Sequence, residues 1–98
     1  MDIMEANKWV FSSTPHKCDA PNENGHYSSC DTGGTCHSNT AEGFDYNVYG
    51  PGDNFTINTL DWFHYKIEFN VDGNGNYKSY TSTFSQGDKT FSLSLIHI

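Results

Sequence analysis

The feature that most constrains the fold is a run of strict two-residue alternation, followed by a turn and a second β-prone run. Apolar side chains occupy every second position from Phe63 to Phe69. Because successive side chains of a strand point to opposite faces, this spacing predicts a strand with one buried face. The stretch Asp72-Gly73-Asn74-Gly75-Asn76 has the composition of a hairpin turn, and the aromatic and β-branched residues at 77–84 predict the partner strand.

Other short segments have the same character. Strands are predicted at about 1–6, 8–16, 55–60 and 90–93, and the stretch Tyr49-Gly50-Pro51-Gly52-Asp53 predicts a turn. Strands at this spacing predict an all-β fold, an antiparallel sandwich or barrel. The polar residues 19–43 form a long loop, and a loop of this length in a compact domain is usually functional or cross-linked.

Composition limits the classes of partner. The chain has 98 residues, enough for one small domain, and 15% of them are aromatic, so its core depends on Phe, Tyr and Trp. A net charge of −7, with five Lys and no Arg, disfavours nucleic acid and an anionic membrane surface but is compatible with a neutral ligand such as a sugar. The sequence contains no apolar run long enough to span a membrane and no visible signal peptide.

Two carboxylates lie at the start of the chain. Asp2 and Glu5 are separated by apolar residues, and we expect a buried strand that carries both acids. Residues three apart in a regular strand face opposite sides, but a β-bulge between them would bring both to one face. A residue directly before Met1 would share that face, so the stretch fits the end of an acidic row E-x-D-x-x-E whose first member precedes the chain.

The string "MDIMEAN" followed by "TPHKC" resembles the active-site strands of family 7 glycoside hydrolases, the fungal and protist cellulases, which carry E-M-D-I-x-E-A-N and then T-P-H-x-C. The strings "GGTC" and "YGPG" also resemble that family, in the same order, and the resemblance covers roughly residues 1–70. It implies a two-sheet jelly-roll sandwich of the concanavalin A-like kind. Residues 1–98 would be an internal fragment of one catalytic domain. The residues at 93–98 turn abruptly apolar and predict either a truncated or a non-native end.

The resemblance assigns roles to three residues. Asp2 matches the acid that supports the nucleophile, Glu5 matches the general acid/base, and His16 matches the histidine beside the catalytic carboxylates. A retaining glycosidase needs two carboxyl groups about 5–5.5 Å apart, one as nucleophile and one as acid/base. The nucleophilic Glu is expected before Met1, so we expect this chain alone to be inactive. No cofactor is implied, and the parent protein is expected to be secreted and to act on a β-glucan.

Departures from the family pattern favour one activity. Met4 replaces the Trp of many members, the chain has no Arg to bind sugar, and the cysteine-rich loop is short. These features favour an open-cleft, retaining endo-β-1,4-glucanase over a processive cellobiohydrolase. The alternatives are a family 16 type β-1,3- or mixed-linkage glucanase of the same fold, a non-catalytic sugar-binding sandwich, and a zinc module. The zinc ligands would come from His16, Cys18, His26, Cys30, Cys36 and His37, although these lack the usual short cysteine pairs.

Three further sites are predicted. We expect Cys30 and Cys36 to form a disulfide and Cys18 to bond outside the segment, with Cys18–Cys30 as the alternative, because sequence does not fix connectivity. Tyr49, beside a Gly-Pro-Gly loop, is the predicted sugar-stacking residue. The tripeptide Asn54-Phe55-Thr56 is an N-glycosylation sequon if the protein is secreted.

Overall fold

The structure, a computed structural model, describes residues 2–34, 38–40 and 47–96. Within these ranges all the regular structure is β. The strands are β1 (Asp2–Ala6), β2 (Phe11–Thr14), β3 (Ser38–Asn39), β4 (Tyr49–Gly50), β5 (Ile57–Asn58), β6 (His64–Val71), β7 (Tyr77–Gln86) and β8 (Lys89–Ile96).

The described strands form two three-stranded sheets and one short pair. Antiparallel sheets have the orders β1-β2-β3 and β6-β7-β8, and β4 pairs with β5 in parallel. The two larger sheets pack face to face through β2 and β7. This confirms the prediction of an all-β fold, and the arrangement is that of a β-sandwich fragment. The parallel β4–β5 pair departs from the purely antiparallel expectation.

The hairpin of β6 and β7 forms where alternation predicted it. Tyr65 pairs with Phe84 and Ile67 with Ser82, so the apolar side chains of β6 share a face with the buried side of β7. The Asp72 carboxylate caps the turn, because its Oδ1 accepts hydrogen bonds from the backbone N–H of Asn74 at 2.8 Å and Asn76 at 3.0 Å. These bonds stabilise the carboxylate and lower the pKa of Asp72.

Phe84 lies at the centre of the core. Its ring is fully buried and contacts the rings of five aromatic residues, which come from β2, β4, β6, β8 and the residue before β6: Phe11, Tyr49, Tyr65, Phe91 and Phe63. The Phe11 ring meets it edge to face at 4.8 Å, and the Phe91 ring stacks on it at 4.7 Å. Aromatic rings remove a large apolar area from water, so this cluster is the main contact between the sheets.

Polar contacts hold β2 to β1 in its own sheet and to β7 in the second sheet. Ser13 is buried, and its hydroxyl donates a hydrogen bond to the backbone oxygen of Ile3 at 2.7 Å. The hydroxyl of Tyr80 donates to the backbone oxygen of Ser13 at 3.3 Å. Phe11 and Ser13 alternate with Ser12 and Thr14 along β2, so the core-facing and outward-facing sides of this strand are defined.

Two sequence expectations for the first hairpin were wrong. All five residues of β1 are exposed, although a buried strand was expected, because β1 is the outer strand of its sheet and the aromatic core packs against β2. The second strand begins at Phe11 and not near residue 8. Asn7 forms a turn there, since its side-chain oxygen accepts hydrogen bonds from the N–H of Trp9 at 2.8 Å and Val10 at 3.0 Å.

The strand expected at 55–60 is reduced to Ile57–Asn58. The side-chain oxygen of Asn58 accepts hydrogen bonds from the N–H of Gly52 at 2.8 Å and Leu60 at 3.0 Å, which turns the chain on both sides of the short strand. In the part of the chain that the structure describes, no helix has the length and apolar character needed to cross a bilayer.

Replacing Phe84 by Ala should lower the free energy of unfolding by about 3–5 kcal/mol, because the substitution leaves a cavity among five aromatic rings. Chemical denaturation of the full-length protein that contains this chain measures the effect. Phe69→Ala is the matched control, since that ring is 47% exposed, and it should cost about 1 kcal/mol or less. Equal losses for the two variants would show that Phe84 does not organise the core.

Candidate active site on the β1–β2 hairpin

The pairing of β1 with β2 brings the two acids of β1 to one face. Asp2 lies opposite Thr14 and Glu5 lies opposite Ser12, with a register shift between the two pairs. Ser12 and Thr14 are two residues apart on β2, so they share a face, and directly paired residues of neighbouring strands point the same way. The β-bulge predicted between Asp2 and Glu5 is therefore present, and both carboxylates lie on the face of the sheet opposite Phe11 and Ser13.

His16 joins this face just beyond the end of β2. Its Nε2 lies 2.6 Å from Oδ2 of Asp2, within hydrogen-bonding distance. The side chain of His16 is 19% exposed and that of Asp2 is 47% exposed. The structure therefore brings together two of the three predicted catalytic residues in direct contact.

Glu5 stands apart from this pair. It is exposed, and its carboxylate makes no hydrogen bond or ion pair with the described residues. A carboxyl group in this position is open to a ligand on the outer face of the sheet, where it shares a strand and a side with Asp2.

A third acid, Asp31, binds the other side of His16. Nδ1 of His16 lies 2.9 Å from Oδ1 of Asp31 and 3.1 Å from its backbone oxygen. The same carboxylate accepts hydrogen bonds from the backbone N–H of Lys17 at 2.6 Å and of Gly34 at 2.7 Å. The ring of His16 is thus held between two carboxylates, one at each nitrogen.

These contacts change the ionisation of His16. The hydrogen bonds to Asp2 and then to Asp31 favour the imidazolium and raise the pKa of His16 above its ordinary value of 6.5, against a smaller opposing effect of burial. His16 therefore carries a positive charge beside Asp2 over a wider pH range than a free histidine does.

The cysteine prediction is corrected. The structure bonds Cys18 to Cys30, the pairing given as the alternative. Cys30 is therefore not bonded to Cys36, and Cys36 itself lies outside the described residues. The two cysteines face each other in an antiparallel bridge, flanked by hydrogen bonds from the N–H of Asp19 to the oxygen of Ser29 and from Asp31 to Lys17, both 2.9 Å. This pairing uses the thiols that two of the proposed zinc ligands would need.

Asp31 is the site residue that sequence reasoning missed. The available signal was the Cys18–Cys30 alternative, because antiparallel pairing of those cysteines puts Lys17 and its neighbour His16 next to Asp31. Gly34 closes the same loop against β2: its φ is +83°, and a Cβ there would overlap the side chain of Thr14. Residue type alone gave no reason to separate Asp31 from the other polar residues of the loop.

Tyr49 is corrected as well. It is only 6% exposed, its ring packs on Phe11 and Phe84, and its hydroxyl donates a hydrogen bond to the backbone oxygen of Asn7 at 3.0 Å. Burial raises the pKa of this phenol. The ring has no free face for a sugar, because it is packed among the aromatic side chains of the core.

Other surface features lie elsewhere. A groove with a volume of about 510 Å³ is lined by Met4, Phe11, Leu60, Trp62 and neighbouring residues, and none of Asp2, Glu5 and His16 lines it. Asn54 is exposed, as a glycosylation acceptor must be. Among the described residues there is no group of three or more His, Cys, Asp or Glu side chains placed to hold a metal ion.

The fold and this site define a β-sandwich with an acidic, histidine-containing centre on one outer face. The chain is similar to the protein named Endoglucanase EG-1 from Hypocrea jecorina, strain Rut C-30, and to Endoglucanase EG-1 from Trichoderma longibrachiatum. Each comparison gives 34% identity over 89 residues, which covers 88% of this chain and 17% of the relative. The chain thus spans about a sixth of the length of these relatives. No protein-family model and no solved structure matches it.

Peptide mapping of the unreduced full-length protein should recover Cys18 bonded to Cys30, because the backbone already holds these residues together. Replacing both by Ser should lower the free energy of unfolding by roughly 2–4 kcal/mol, the usual value for a loop of this size. A Cys30–Cys36 peptide in the map would contradict the structure.

The stability of the protein should depend on the charge of His16. Its folded-state pKa is raised, so its contribution is fully present below pH 6.5 and is lost as the pH rises through the folded-state value. The free energy of unfolding, measured by denaturation at a series of pH values, should therefore decline over that range. His16→Gln should remove this part of the decline.

His26→Gln is the control for the pH measurement. His26 is an exposed histidine of the same loop, and its ring makes no hydrogen bond with the described residues. If the free energy of unfolding had the same pH dependence in His16→Gln and in the control, the two carboxylates would not be stabilising a charged His16.

Proposed function

We propose that this chain is part of the catalytic domain of a cellulose-degrading glycoside hydrolase, a retaining endo-β-1,4-glucanase of the family 7 type. The observation that carries the proposal is the shared face of Asp2 and Glu5, with His16 bonded to Asp2. The similarity to Endoglucanase EG-1 supports the class of substrate.

Glu5 is the proposed general acid/base. In the first step a nucleophilic carboxylate attacks the anomeric carbon, the glycosidic bond breaks, and Glu5 gives its proton to the leaving oxygen. In the second step Glu5 takes a proton from water, whose oxygen attacks the anomeric carbon and releases the nucleophile. The exposed position of Glu5 suits both transfers, because a sugar oxygen and then a water must reach it.

Asp2 and His16 support the nucleophile. We propose that the nucleophile is a Glu of the parent protein placed next to Asp2 on the same face, two residues before it. Asp2 then uses one oxygen to bond the nucleophile and the other to bond His16. The positive charge of His16 offsets the repulsion among these carboxylates.

The endo mode and the location are parts of the same proposal. The absence of Arg from the sequence fits an open cleft that binds a neutral polymer without a strong grip on the product. The Cys18–Cys30 disulfide and the exposed sequon at Asn54 fit a secreted protein. No cofactor is needed for this chemistry.

Replacing Glu5 by Gln in the full-length protein should lower turnover of carboxymethylcellulose by about 10²–10⁴-fold, because Gln keeps the shape of the side chain and cannot carry the proton. Glu23→Gln, an exposed acid of the 19–34 loop, is the control and should keep full activity. Undiminished turnover in Glu5→Gln would remove Glu5 from the mechanism.

The same protein should be compared on carboxymethylcellulose, barley β-glucan and laminarin. Activity on the first two with retained anomeric configuration, followed by proton NMR of the fresh product, is the expected outcome. Activity on laminarin alone would move the protein to the family 16 alternative. Sugar binding with no hydrolysis of any of the three would indicate a non-catalytic module.

A further inference from the structure

We infer that Asp31 is a positioning residue of this site: its carboxylate holds the Nδ1–H of His16, so that Nε2 alone exchanges a proton with Asp2. The inference deepens the proposed function, and its consequence for catalysis rests on that function. The hydrogen bonds that orient the His16 ring do not depend on the proposed function.

The first step of the argument concerns the tautomer of His16. Its Nδ1 faces two oxygens, the carboxylate Oδ1 of Asp31 at 2.9 Å and the backbone oxygen of Asp31 at 3.1 Å. A backbone oxygen can only accept a hydrogen bond, and an ionised carboxylate can only accept one as well. Nδ1 must therefore carry a hydrogen in both the charged and the neutral forms of the ring.

The second step concerns the other nitrogen. Because Nδ1 keeps its hydrogen, the proton that His16 gains or loses is the one on Nε2, 2.6 Å from Oδ2 of Asp2. That proton lies either on Nε2, with Asp2 ionised, or on Oδ2, with His16 neutral. Its transfer between the two atoms leaves the total charge unchanged, so the pair can adjust to a change of charge on a neighbouring carboxylate.

The third step concerns how Asp31 is held. Its two carboxylate oxygens also accept the N–H of Lys17 and of Gly34, and the Cys18–Cys30 disulfide joins the two backbone segments beside it. A group that orients another must itself be fixed, and Asp31 is fixed by hydrogen bonds on both sides and by a covalent link one residue away.

Asp31 differs in this respect from the other acid that caps the same loop. Asp19 accepts hydrogen bonds from the N–H of Ser28 at 3.1 Å and of Ser29 at 3.3 Å. It makes no contact with His16. Asp19 thus accepts backbone hydrogen bonds within the loop as Asp31 does, but it does not bond His16. This difference makes Asp19 the matched control.

The charged groups around His16 determine the direction of the effect. Among the described residues, Asp2 on β1 and Asp31 on the loop bond the ring. Lys17 follows His16 in the chain, and Glu5 lies on the same face of β1 as Asp2 without a hydrogen bond or ion pair to the ring. Asp31→Asn keeps an oxygen acceptor but removes one of the two negative charges bonded to the ring. The imidazolium should then lose its proton at lower pH, and the alkaline limb of the activity profile should move to lower pH with it.

The experiment compares Asp31→Asn, Asp19→Asn and the unaltered full-length protein, with ¹⁵N-labelled histidine. NMR should show that His16 titrates at lower pH in Asp31→Asn than in the other two proteins. It should also show the Nδ1–H tautomer of neutral His16 in the unaltered protein. On carboxymethylcellulose, Asp31→Asn should lose up to ~10²-fold in kcat with little change in KM. Asp19→Asn should keep the kcat and KM of the unaltered protein.

Identical titration of His16 in Asp31→Asn and the unaltered protein would overturn the inference. So would an Nε2–H tautomer in the unaltered protein, a measurement that does not require the variant to fold. The NMR readout uses no substrate, so it separates the two proposals: the expected titration in a protein that cleaves no β-glucan would support the role of Asp31 and overturn the proposed function.

Discussion

The packing of Phe11 against Phe84 is the contact on which the rest of the structure depends. It joins a strand of one sheet to the central strand of the other, at the centre of a buried aromatic cluster. Because Phe11 points into the core, its neighbour Ser12 must point outward. Glu5 is paired with Ser12 across β1 and β2, so the side chain of Glu5 points outward as well. The chemistry of the outer face is therefore set by which side of β2 is apolar.

The β-bulge in β1 converts this orientation into a site. Without it, Asp2 and Glu5 would lie on opposite faces, and one of the two carboxylates would point toward the core. With it, both carboxylates face outward and Asp2 meets His16 just beyond the end of β2. A single irregularity in strand pairing thus permits two acids on one short strand to lie on the same face, and the exposed position of the strand leaves both open to solvent.

The loop after β2 supplies what the strands do not. Its disulfide and its antiparallel bridge bring Asp31 to the Nδ1 side of His16, while Asp2 occupies the Nε2 side. A histidine bonded to a carboxylate at each nitrogen has a fixed ring and a raised pKa, both useful where several carboxylates must be kept close together. The polar loop is therefore part of the site and not only a covalent brace.

The sequence by itself determined the elements with strong local signals. Alternation over Phe63–Phe69 and the Asp72 turn fix the β6–β7 hairpin, and the spacing of Asp2 and Glu5 already required a bulge if both were to face one side. Only the tertiary structure decided which residues meet across the chain. Tyr49 was predicted to bind sugar and lies in the core, and Asp31 was missed, because burial and the partners of a loop residue depend on how distant segments pack. The pairing of Cys18 with Cys30 was decided in the same way, since local sequence carries no information on which cysteines approach each other.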